Sequence, residues 1–215
     1  NTALGDGSLL VLTSGAENVA VGKDALAANT TANNNTAVGT EALKANTTGV
    51  ENTSTGKGSL QANTTASYNT AVGSGALGDT TTGASNTAVG RGALNKNTTA
   101  SNNTAVGQSA LGANTTGDSN TGLGVSALQN NTTGTQNAAV GMNAMRDNTT
   151  GASNIAVGEG AFISNTTGSQ NVALGRLSLF LNTTASNNTA VGFNALYANT
   201  TGPSNTAIGI NAGNG

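Results

Sequence analysis

An unbroken period of seventeen residues constrains this chain more than any other feature. Copies of one unit begin at Asn1, Asn18, Asn35, Asn52, Asn69, Asn86, Asn103, Asn120, Asn137, Asn154, Asn171, Asn188 and Asn205. No residue is inserted or deleted between them, so 215 residues make twelve full units and an eleven-residue remainder, about 12.6 coils. A short constant period is the signature of a solenoid, in which each unit is one turn stacked on the last. Disorder, which the sparse aromatics could suggest, normally accompanies high net charge, and here the net charge is only -2. The expected class is therefore an all-β, parallel β-solenoid with seventeen residues per coil, one repeat domain spanning residues 1–215. The chain lacks an initiator Met and starts in phase with the repeat, so it is expected to be a segment of a longer protein.

Aligned copies give each position a character. Position one is Asn and position five Gly in every copy. Position two is mostly Thr, with Val19, Ile155 and Val172 among its replacements, and position four is Val, Leu, Ile or, once, Thr55. Positions two to four read as a short strand with period-two alternation. Because apolar residues replace Thr at position two, both two and four are expected to face the interior, joined from another side by the Leu of position nine. Gly at position five is expected to supply a backbone angle that other residues avoid. All sixteen charged residues fall at positions six, seven, ten, eleven, sixteen and seventeen, for example Lys23, Asp24, Lys44, Asp118 and Glu17. Charge is costly to bury, so those six positions are expected to form the exposed corners.

If positions two and four point inward, position three points out. It is Ala in all copies but Ser54 and Gly122. A water-facing position should accept Lys, Glu or Gln, and this one does not. Ala20, Ala37, Ala71, Ala88, Ala105, Ala139, Ala156, Ala173 and Ala190 are therefore candidates for an oligomer interface, a narrow apolar stripe hidden by sister chains. The Asn of position one reads as a structural ladder of stacked amides. A second Asn row at position twelve precedes two Thr rows, and adjacent strand residues face opposite ways, so one Thr row should point in and the other out. Asn-Thr-Thr also matches a glycosylation acceptor, but glycans stacked at strand spacing would collide.

The segments Asn18-Val19-Ala20-Val21-Gly22, Asn154-Ile155-Ala156-Val157-Gly158 and Asn171-Val172-Ala173-Leu174-Gly175 resemble the Ser-Val-Ala-Ile-Gly core of trimeric autotransporter adhesin heads. Asn-Thr-Ala-Val-Gly followed by Ala-Leu and Asn-Thr-Thr-Gly is similar to repeats of phage tail fibres. The resemblance implies a left-handed β-roll, a parallel homotrimer and an extracellular place on a cell surface or virion. It also implies a non-enzymatic, adhesive or structural fibre segment with an unidentified receptor. The period here is longer than the commonest head repeat, and Thr often replaces Val at position two.

Catalytic chemistry is expected to be absent. With no His and no Cys there is no usual general base, thiol nucleophile or soft metal ligand. Glu17 and Glu51, two acids of one row, stand two turns apart, roughly 10 Å at strand spacing. No cofactor and no metal are expected. Nor is nucleic acid, since the chain is weakly acidic. No apolar run approaches the roughly 20 residues that span a bilayer, so this segment is not expected to insert. Two alternatives remain open. Phe180, Phe193 and Tyr197 stand where other copies are polar and form a possible partner patch. Regular rows of Thr also suit an ice-binding solenoid, with Asn29, Thr31, Asn46, Thr48, Asn63, Thr65, Asn97, Thr99, Asn114 and Thr116 as the outward ladder.

Overall fold

A computed structural model describes residues 1–214. It shows an all-β parallel solenoid of about twelve turns, seventeen residues per turn, with no helix among the described residues. Two compact units divide the chain, residues 1–108 and 109–215. The first contains β1 (Thr2–Leu4), β2 (Val19–Val21), β3 (Thr36–Val38), β4 (Thr53–Thr55), β5 (Thr70–Val72), β6 (Thr87–Val89) and β7 (Thr104–Val106). The second contains β8 (Thr121–Leu123), β9 (Ala138–Val140), β10 (Ile155–Val157), β11 (Val172–Leu174), β12 (Thr189–Val191) and β13 (Thr206–Ile208).

Within each unit every strand pairs in parallel with the strand one coil away. Each residue stands on its own counterpart: Ala20 on Ala37, Ala71 on Ala88, Ala156 on Ala173. Constant period makes this register unavoidable, because a slip of one residue would turn every side chain to the other face. The backbone ladder continues past the strands. In the first unit the Leu43 N–H donates to the Ser59 carbonyl at 3.0 Å, Ala45 to Gln61 at 3.1 Å and Thr47 to Thr64 at 2.9 Å. In the second, Leu128 donates to Ala144 at 3.0 Å and Thr132 to Thr149 at 2.9 Å. Short strands thus understate how much of each coil is bonded to its neighbours.

The interior is narrow and built from six positions. Asn of position one, Ala of three, Ala or Ser of eight, Leu of nine, Asn of twelve, and Gly or Ala of fifteen are buried through the middle of both units. Position three therefore faces in, and positions two and four face out. This reverses the expectation. Ala20, Ala37, Ala71, Ala88, Ala105, Ala139, Ala156, Ala173 and Ala190 each have 0% exposure within a single chain, so they cannot meet a sister chain. The physical reason is space. A methyl group built at Gly122 would stand 3.4 Å from Leu111 Cγ and 3.2 Å from the Ala127 carbonyl oxygen, so the position-nine side chain already fills the volume facing position three. Where a hydroxyl enters, a second one meets it: Ser54 Oγ lies 2.6 Å from Ser59 Oγ and donates to the Ser59 carbonyl at 2.8 Å.

Leu reaches this interior from a left-handed backbone, with φ of 50° at Leu26, 52° at Leu43 and 49° at Leu60. That conformation costs a bulky residue roughly 1–2 kcal/mol. Burying the side chain returns about 1.5–3 kcal/mol. Position five is Gly for a stricter reason. At Gly73, with φ +131°, an added Cβ would lie 2.6 Å from the Gly90 carbonyl oxygen and 2.7 Å from its carbon. All sixteen charged residues lie outside the buried set, as their corner positions required.

Candidate interaction faces

Two Asn ladders line the interior. At position one, Asn35 Oδ1 accepts the Asn52 backbone N–H at 2.9 Å, and Asn52 Nδ2 donates to Asn35 Oδ1 at 3.1 Å. The same Nδ2 donates to the Ala66 carbonyl at 2.9 Å, pinning the coil's end to its start. The amide stack expected from sequence is thus present. The position-twelve row is also internal. Asn29, Asn46, Asn63, Asn97 and Asn114 all have 0% exposure, which removes them from the outward ladder proposed from sequence. Their amides bond along the axis, Asn63 Nδ2 to Asn46 Oδ1 at 2.8 Å, and to position fifteen, Asn46 Nδ2 to the Gly49 carbonyl at 2.9 Å. Burial also withdraws these Asn-Thr-Thr acceptors from any glycan.

The partners Thr31, Thr48, Thr65, Thr99 and Thr116 are exposed, as expected. The preceding Thr row is half-buried and bonded to the next coil, Thr47 Oγ1 donating to the Thr64 carbonyl at 3.0 Å. One Thr row points out and its neighbour turns in, the alternation that adjacent strand residues impose.

The outward face that sequence reasoning missed is the strand surface itself. In the first unit it carries Thr36, Thr53, Thr70, Thr87 and Thr104 in one row and Val38, Thr55, Val72, Val89 and Val106 in the other. Neither row holds a charge in either unit. Val72 is 38% exposed and Val106 40%, high for an ordered row of β-branched residues. A signal for this arrangement existed. Position three admits only Ala, Ser and Gly, a volume limit that water does not impose and a packed interior does.

The three aromatics of the possible partner patch already have contacts within the chain. Phe180 and Tyr197 occupy the same position on adjacent coils and stack with centroids 5.0 Å apart and 1° between planes. The Arg176 guanidinium lies over Phe193, 5.8 Å from its centroid. Two ring faces are therefore spent on each other, and a third on a cation of the same chain. Among the described residues no three His, Cys, Asp or Glu side chains gather as metal ligands.

Four of the seven cations are paired: Lys44 with Glu41 at 3.0 Å and Asp24 at 3.6 Å, Lys96 with Asp79 at 2.9 Å, Arg146 with Asp147 at 2.8 Å, Arg176 with Glu159 at 3.2 Å. The hydrogen bond to Glu41 raises the Lys44 ammonium above its ordinary value. Arg146, bonded side by side, holds the Asp147 carboxyl below the usual carboxylate range, and Asn130 adds to the effect. Compared with known protein families, curated proteins and solved structures, the chain matches none.

Proposed function

We propose that this chain is a non-enzymatic structural or adhesive fibre segment of a bacterial surface adhesin or phage tail fibre. It acts outside the cell or on a virion as a stiff stalk or display surface, assembled as a left-handed, parallel homotrimer. The observation that carries the reading is the uncharged outward face of positions two and four, repeated on every coil, with Val38, Val72, Val89, Val106, Val140 and Val157 exposed. Continuous apolar surface of that kind suits burial against copies of itself. The contact is assigned to these two rows and not to the internal Ala. Light scattering on the purified chain is expected to give three times 20.7 kDa, about 62 kDa. Val72→Lys with Val89→Lys should yield monomers that keep the β circular-dichroism spectrum. A wild-type monomer would sink the assembly.

One observation favours a second reading. Outward Thr at position two stands beside outward Val at position four, a regular array of hydroxyls and methyls of the kind an ice-binding face presents. That role needs the face open, whereas the trimer hides it. Thermal hysteresis from a monomer would establish the second reading, and none is expected from the first.

A further inference from the structure

Three cations have no acid partner among the described residues: Lys23, Lys57 and Arg91. All three stand at position six of the first unit, on alternate coils, and all are exposed. Between and beyond them the row carries Thr40, Ser74 and Gln108, also exposed. Coils stack at strand spacing, so the cations recur about every 10 Å. The acids nearest the row lie at its Lys23 end: Asp6 in the row itself, and Asp24 and Glu41 in position seven, the latter two held by Lys44. Lys57 and Arg91 face no such opposition.

Beside them the surface is bare. Position seven is Gly58, Gly75 and Gly92 on three successive coils, and a Cβ added to Gly58 or Gly75 would meet nothing nearer than 3.4 Å. Other residues occupy this position in neighbouring coils at the same left-handed angle, Asp24 at 56° and Glu41 at 59°, so the backbone does not demand glycine there. On the row's other flank the exposed Thr55, Val72 and Val89 follow beyond the position-five glycines. The result is a strip over coils two to six, with a cation every second coil and hydroxyls between, floored by glycine on coils four to six.

We propose that this strip binds a linear, sulfated or carboxylated polysaccharide lying along the solenoid axis. The charge repeat is close to the length of two extended pyranose rings, so one anionic group per disaccharide meets each cation. Thr40 and Ser74 are placed for ring hydroxyls, and the glycine shelf gives the rings flat backbone. Nucleic acid fits less well. Its phosphates recur at about 3.4 Å of axial rise per strand, so this row would neutralise roughly one in three. The row also carries no aromatic platform for bases. The cations lie at position six and the glycine shelf at position seven, outside the two rows assigned to the trimer.

The test is binding of a size-defined heparin-type oligosaccharide to the whole chain at 50 mM salt, with mass recorded by light scattering in the same buffer. Lys23→Ala, Lys57→Ala and Arg91→Ala combined should weaken binding at least tenfold. Lys96→Ala serves as the control and should leave it unchanged. Gly75→Glu should weaken it too, by placing an acid on the shelf, and circular dichroism checks that both variants fold. Raising salt to 200 mM should cost roughly 20- to 40-fold for three contacts. Single-stranded DNA and poly-glutamate of equal charge should bind at least tenfold more weakly. No binding by the wild type, equal binding by the folded triple variant, or equal affinity for either competitor polyanion would overturn the proposal. A monomer that still binds would leave it standing while removing the trimer.

Discussion

A single buried amide shows how tightly each residue is held to its place in the repeat. Asn63 Oδ1 has no hydrogen-bond partner among the described residues, and the reason lies one coil on, where Thr80 occupies the position that is Asn in the neighbouring coils. Asn97 Nδ2 reaches Thr80 Oγ1 only at 3.4 Å, against 2.8 Å for Asn131 to Asn114 in an intact stretch. Thr80→Asn should restore the ladder and stabilise the fold by about 1 kcal/mol, read as a raised urea midpoint with unchanged slope. Two glycines make a sharper contrast. Gly73→Ala drives a Cβ into the Gly90 carbonyl and should cost several kcal/mol or abolish folding. Gly58→Ala, at φ +63° with only the Gln61 side chain at 3.5 Å from the added Cβ, should cost only about 1 kcal/mol. Equal losses for the two would refute the close-approach explanation of position five.

At the scale of the strand, inside and outside were assigned the wrong way round from sequence, and the alternation itself was right. Period two was legible; its phase was not. Val at positions two and four looked like core because apolar residues usually are, while Ala at three looked like a permissive surface. The interior turned out too thin for Val on the strand side, since Leu of position nine and two Asn rows already fill it. Thermal melts of paired variants check this. Ala88→Leu should destabilise by about 1–3 kcal/mol through overpacking, and Thr87→Val should change stability by less than about 0.5 kcal/mol. The reverse ranking would restore the original orientation.

For the molecule as a whole, the interior holds no ionisable side chain among the described residues; its buried polar groups are Asn, Ser and Thr. Acid therefore has no buried charge to disrupt, and stability should fall little between neutral and mildly acidic pH. Asp147 is a local exception. Its folded carboxyl is held below its ordinary value by Arg146, so it contributes stability above the unfolded value, and the contribution is lost as pH falls through the lowered one. At neutral pH, Asp147→Asn should melt slightly below wild type. The gap should close as pH drops below the ordinary carboxylate range, and a gap that persisted there would contradict the Arg146 contact. Each strand contacts only its sequence neighbours within a unit, so damage at one coil should spread outward by neighbours, as in other repeat arrays.

Sequence alone determined the coil, because a period that never breaks leaves one way to stack identical backbones in register. It also determined the corners, since charge avoids a dry interior, and the position-one amide ladder, since identical amides at strand spacing bond to one another. Which way the strand faced was decided only in three dimensions. Period-two alternation is symmetric under exchange of its faces, and only the volume left beside Leu26, Leu43 and their counterparts breaks that symmetry. The same packing sent Asn29 and Asn46 inward and left Thr31 and Thr48 in water, a choice between neighbours that a one-dimensional pattern does not contain.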